Sequence, residues 1–246
     1  MLTSLSKYLR FYSKPLAIGA VILLSLLGLY FRYVKFASRT LWGDEYVFFS
    51  PLSGHSFKDT PLRDIKNLAA VRGNHDDLFL KMLNNNTLER EYEAKYGRAN
   101  SLLKKTIKKD NLAFLKKLPN EIILKAERSS NLAIFHGSPW DHLDEYIYPT
   151  DTIDRFKGLK YQFILLGHTH YPMDRAINKV RIINPGSCGQ PRDFNEPSYA
   201  ILDTKKGNVQ FKRISYDPGL LIRDVLAHKE KNEYLVKLLK RRRKDG

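Results

Sequence analysis

Acidic residues are absent from the first 39 positions, cysteine occurs once, and only one uncharged apolar run approaches membrane length. The single cysteine, Cys188, excludes an internal disulfide framework and any multi-cysteine zinc cluster. There is no internal repeat and no long low-complexity linker, which excludes a solenoid or a string of modules. No small-residue cleavage site of the A-x-A kind follows the apolar run, so an uncleaved segment is favoured over a removable signal peptide.

What is present is enough for a packed domain. The 246 residues are 43% hydrophobic and 12% aromatic, which excludes wholesale disorder. The net charge of +16 first suggests nucleic acid, but its distribution argues otherwise. Lys7, Arg10, Lys14, Arg32, Lys35 and Arg39 stand at the front without an acid, and Lys237, Lys240, Arg241, Arg242, Arg243 and Lys244 crowd the tail. The body between is only mildly basic, densest at Lys104, Lys105, Lys108, Lys109, Lys116 and Lys117, where a solvated helix face accounts for the pattern. No charged stripe crosses the domain, so no specific nucleic-acid partner is expected.

The uncharged run, residues 15–31, just reaches the lower limit of a bilayer-spanning helix, about 17 residues. Two readings stand side by side: a membrane anchor within residues 15–34, or a buried strand and helix of the domain. A cytoplasmic protein, soluble or anchored, fits either. Residues 1–40 are therefore set apart as an atypical segment, 41–217 as the main domain and 218–246 as a closing helix with a basic tail.

Within the main domain short apolar runs alternate with helix-prone stretches. Strands are expected at 68–72, 132–135, 161–166 and 180–183, helix across 86–118, and a hairpin from 199–202 to 209–214 about Lys206-Gly207. Several of these strands end at metal-ligating residue types: Asn74-His75-Asp76, His136, and His168 with His170. Asp44 follows Trp42-Gly43. In layered α/β folds ligands bind outside the carboxyl ends of the strands. Imidazoles, carboxylate and amide oxygen in one cleft suit manganese, nickel, iron or zinc.

Gly43-Asp44, Gly73-Asn74-His75-Asp76, His136-Gly137 and Gly167-His168-Thr169-His170, in this order, resemble the calcineurin-like metallophosphoesterases, and more closely their small stand-alone phosphodiesterase branch in prokaryotes. The run Asn184-Pro185-Gly186-Ser187-Cys188-Gly189-Gln190-Pro191-Arg192 is similar to that family's late turn. The resemblance implies an α-β-β-α sandwich holding two divalent metals bridged by Asp44. Asn74, His136 and His168 would complete the second site and His170 would serve the first. His75 would stabilise the transition state and protonate the leaving oxygen. The implied activity is hydrolysis of phosphodiester or nucleotide phosphate bonds.

The chain departs from that pattern at its start. The family's opening Asp-x-His, which binds the first metal, occurs nowhere here; the first acid is Asp44 and the first histidine His55. One sound metal site and one crippled site are therefore expected. The front segment fits an anchor that replaced the first strand-helix unit, a degenerate unit, or a disrupted reading frame. A catalytically inactive relative that binds a nucleotide or protein, membrane-associated or not, is the competing function. His55, His142 and His228 have no motif context.

Overall fold

The computed structural model describes residues 20–22, 69–96, 99–125, 131–194 and 196–215, with scattered residues of the C-terminal segment (219, 222–223, 226, 236–237 and 240). Most of the atypical front segment, Asp44 and most of the expected closing helix lie outside the described residues.

Among the described residues, the strand candidates with continuous apolar sequence become the centre of a five-stranded sheet. Strand β1 is Ala20–Ile22, β2 is Glu121–Lys125, β3 is Asn131–Phe135, β4 is Phe163–Leu165, β5 is Pro172–Ile177, β6 is Val180–Pro185, β7 is Ser198–Asp203 and β8 is Asn208–Arg213. The larger sheet runs β2-β3-β4-β6-β5, with β3, β4 and β6 parallel and both edge strands antiparallel. The smaller runs β1-β7-β8, all antiparallel.

Side-chain alternation explains why the sheets face each other. On β3, Leu132 and Ile134 point into a cluster with Phe163, Leu165, Ile183, Leu202, Val209 and Phe211, which joins the two sheets. Ala133, Phe135, Ile164 and Ile182 point the other way, where Ile147, Ile153 and Phe156 cover them. The strands buried on both faces are mostly apolar, as parallel central strands tend to be, with Asn184 at the end of β6 a buried exception. Phe163, 1% exposed, gains about 1.5–3 kcal/mol from burial. The cover over this far face is the loop after β3 and a 3-10 helix, Asp154–Gly158.

Residues 86–118 are helical as expected but divided. Helix α1 spans Asn74–Met82, α2 Asn86–Tyr96, α3 Ala99–Thr106 and α4 Lys109–Lys117. Phe79 of α1, Leu103 of α3 and Leu115 of α4 share one core.

The strand expected at 68–72 is not one among the described residues. Ala69 and Val71 do turn to the sheet cluster and Ala70 to the helices, a strand-like alternation. The Arg72 N–H, however, is given to the Pro119 carbonyl at 2.7 Å, in the connection entering β2, and not to a ladder. At the middle of the apolar front run, Ala20–Ile22 pairs with Ile201–Asp203 of β7. These three residues follow the strand reading of that run. Among the described residues no helix is long and apolar enough to cross a membrane.

The two sheets are joined by the turn after β6. Gly186 there has φ +85°, and an added Cβ would overlap Ser198 Oγ and lie 2.8 Å from Pro172 Cγ. A side chain is disfavoured by both the left-handed backbone and the lack of space. Gly186→Ala is expected to cost about 2–4 kcal/mol in chemical denaturation. Gly189→Ala, whose Cβ would meet nothing within 4 Å, should change stability by less than about 0.5 kcal/mol.

Candidate metal centre

Three of the side chains singled out in the sequence meet at the carboxyl ends of β3 and β4. Asn74 opens α1, His136 follows β3, and His168 follows β4. His136 Nε2 lies 3.2 Å from Asn74 Oδ1 and 3.0 Å from His168 Nδ1. The two imidazole centroids are 4.7 Å apart, and each histidine is 8% exposed.

Carbonyl partners set the ring tautomers. A backbone carbonyl only accepts, so the nitrogen facing it carries the proton. His168 Nε2 faces the Asp144 carbonyl at 3.2 Å and His170 Nδ1 faces the Gln190 carbonyl at 2.9 Å. In the neutral rings this leaves lone pairs on His168 Nδ1 and His170 Nε2. The first of these is the atom turned towards His136 Nε2. Such anchoring of the non-ligating nitrogen is characteristic of metal-binding histidines.

The donor set fits a divalent metal. Metal–nitrogen and metal–oxygen bonds near 2.0–2.2 Å put neighbouring ligand atoms about 3.0–3.5 Å apart, the spacing found between these atoms. Two imidazole nitrogens and one amide oxygen are borderline donors suited to zinc, manganese, iron or nickel. Among the described residues no three His, Cys, Asp or Glu side chains converge; the carboxylate expected to complete the set, Asp44, lies outside them.

The backbone at these histidines is unusual. His168 and His170 both have φ +62°, in the left-handed region, at a cost of about 1–2 kcal/mol each. The buried amide of Asn184 holds them there. Its Nδ2 donates to the Gly167 carbonyl at 2.5 Å and to Thr169 Oγ1 at 3.0 Å, while its Oδ1 accepts from Gly186 N–H at 3.0 Å. One fully buried side chain thus ties the Gly-His-Thr-His loop to the turn after β6.

The loop presenting the Asp144 carbonyl is braced in turn. Ser138 Oγ accepts from the N–H groups of Trp140 and Asp141, and its hydroxyl is bonded to Glu145, which pairs with Arg155 at 2.5 Å. The Asp141 carboxylate accepts from the N–H groups of Asp144 and Leu143, and these bonds hold its carboxyl below the ordinary value. Gly137 is required beside His136, since a Cβ would fall 2.5 Å from the Asp141 carbonyl.

His170, His75, Asp76 and His142 are each held by partners of their own. His170 stands two positions beyond His168 with its own carbonyl anchor. His75, half-buried on α1, has Nδ1 3.1 Å from the Tyr92 hydroxyl of α2. Asp76 turns inward, its Oδ2 accepting the Gly73 N–H at 3.0 Å to cap α1. His142 is a loop residue against Phe135. Unforeseen in the sequence are Tyr92, the carbonyls of Asp144 and Gln190, and Tyr146, whose ring centroid is 3.8 Å from that of His168. Gln190 lies in the late turn already noted, but a carbonyl role leaves no side-chain signature.

The geometry and the relatives converge. The calcineurin-like phosphoesterase superfamily domain matches residues 52–207, and the chain belongs to that family. An uncharacterised protein of Methanocaldococcus jannaschii is 34% identical over 175 residues, covering 63% of this chain and 68% of its own. The crystal structure of a metallophosphoesterase from Sphaerobacter thermophilus superposes with TM-score 0.59 at 25% identity, covering 72% of this chain and 78% of its own. A hypothetical protein from Pyrococcus horikoshii shares the fold, with TM-score 0.62 at 20% identity, covering 72% and 74% of the two chains.

Asn184→Asp replaces two donated hydrogen bonds by oxygen–oxygen contacts in a dry site. It is expected to destabilise the protein by about 2–4 kcal/mol. Asn184→Ala should weaken zinc binding by about tenfold or more through loss of loop geometry. Calorimetric unfolding and a zinc titration check both.

Proposed function

We propose that the chain is a metal-dependent phosphoesterase that hydrolyses phosphodiester or nucleotide phosphate bonds. The observation that carries the proposal is the convergence of Asn74 Oδ1, His136 Nε2 and His168 Nδ1 within 3.0–3.2 Å contacts. Family membership supplies the reaction class.

A bound divalent ion supplies Lewis acidity, offsetting the charge of the phosphate and lowering the pKa of water. Asn74, His136 and His168 would hold it, with Asp44 as the expected carboxylate. Only His170 and the bridging Asp44 would serve the first-metal position, since Asp-x-His is absent from the chain. One sound site is the consequence.

The protein's own residues then bind and orient the ester. Asn74 is the first residue of α1, so the positive end of that helix adjoins the donors and favours a phosphate anion. The carbonyls of Asp144 and Gln190 keep the two histidines in one tautomer each. His75, next to Asn74 on the helix, carries the proton for the leaving oxygen, and the Tyr92 hydroxyl at its Nδ1 fixes the ring. General acid catalysis of this kind contributes typically about 10²–10⁴-fold.

Manganese- or nickel-dependent hydrolysis of an aryl phosphodiester tests the reading. His75→Ala is expected to lower kcat by about 10²-fold or more while retaining the metal. Equal rates for wild type and His75→Ala would sink the enzyme reading and leave a nucleotide- or protein-binding module in its place.

A further inference from the structure

The loop that braces His168 also exposes aromatic rings beside it. Tyr146 is 50% and Tyr148 38% exposed, while Ile147 between them is 7% exposed in the core under the sheet. Exposure alternates over these three residues, with the two tyrosines outward and the isoleucine inward as their anchor. Their rings are parallel, with centroids 5.8 Å apart and an interplanar angle of 8°. Tyr146 packs on the His168 ring at 3.8 Å, and Tyr148 meets Tyr171, the residue after His170, edge-on at 6.0 Å. His168 thus borders the aromatic group directly, and Tyr171 ties that group to the Gly-His-Thr-His loop.

The presentation is rigid. The Tyr148 N–H is held by Asp151 Oδ2 at 2.7 Å, and its carbonyl accepts the Asp151 N–H at 3.1 Å. Arg175 of β5 binds the carbonyls of Pro149 and Asp151. Trp140, the other exposed aromatic of this loop, is already engaged: Phe156 meets it edge-on and the Arg155 guanidinium lies 3.9 Å over its ring. Parallel tyrosines held in place, half in water and next to the donor histidines, present a flat π surface at little ordering cost.

We propose that Tyr146, Tyr148 and Tyr171 form a stacking shelf that takes the planar base of a nucleotide ester. This rests on the phosphoesterase reading and narrows its substrate to esters bearing a nucleobase. Stacking suits the requirement because every base has a π face, so recognition tolerates base identity. The phosphate would lie at the donor set and the base on the tyrosines.

The test is equilibrium binding by calorimetry on the full chain, comparing adenosine monophosphate with ribose 5-phosphate, which differ only in the base. The nucleotide is expected to bind more tightly by about 5- to 150-fold, the range that loss of one base–aromatic stack produces. Tyr148→Ala should close most of that gap, and Tyr148→Phe, which keeps the ring, should preserve it. Equal affinities in the wild type, a gap that survives Tyr148→Ala, or a gap lost as fully in Tyr148→Phe would overturn the shelf. Binding is read without turnover. A base-dependent gap in a protein inert towards phosphate esters removes the enzyme reading alone, and hydrolysis without the gap removes the shelf alone.

Discussion

A single buried amide sets the geometry on which the site depends. Asn184 bonds the Gly167 carbonyl and Thr169 hydroxyl on one side and the Gly186 N–H on the other. Two histidines, His168 and His170, stand in left-handed backbone conformations between those anchors. Strain of this kind persists only where neighbouring bonds over-determine it. Ser198 completes the clamp from the second sheet, its hydroxyl accepting from Ser187 N–H at 3.1 Å and donating to the Pro185 carbonyl at 2.8 Å. Packing of the two sheets and placement of the two imidazoles are therefore coupled.

From that anchor the site builds outward in consistent steps. Parallel strands β3 and β4 deliver His136 and His168 to one end of the sheet, and α1 delivers Asn74. Ser138, Asp141 and Glu145 fold the intervening loop so that the Asp144 carbonyl fixes the protonated nitrogen of His168. The same loop buries Ile147 and lifts Tyr146 and Tyr148 beside the imidazole. The stretch after β3 thus supplies both the carbonyl that orients His168 and the exposed tyrosines beside it.

Much of this was readable in the residues, for identifiable reasons. Strands β3, β4 and β6 are buried on both faces, so they appear as short apolar runs, and the β7–β8 hairpin is marked by Lys206-Gly207. Strands β2 and β5 lie at the sheet edges, where half-exposed, mixed sequences such as Pro172-Met173-Asp174-Arg175-Ala176-Ile177 carry little periodic signal. Residues 68–72 have the composition of a strand, but the hydrogen bond of Arg72 goes to a loop carbonyl. Asn74, His136 and His168 were visible because motif order survives in one dimension. Their carbonyl partners and the tyrosine stack were not, because backbone acceptors carry no residue signature and the rings meet only after the loop closes.

Metal content of the purified chain tests the central arrangement most directly, because it depends on the donors and not on any substrate. Elemental analysis of the wild type after equilibration with zinc and desalting is expected to find about one ion per chain, held by Asn74, His136 and His168. His136→Ala, which removes the nitrogen central to both short contacts, is expected to retain little of it. The same zinc content in wild type and His136→Ala would contradict the assignment.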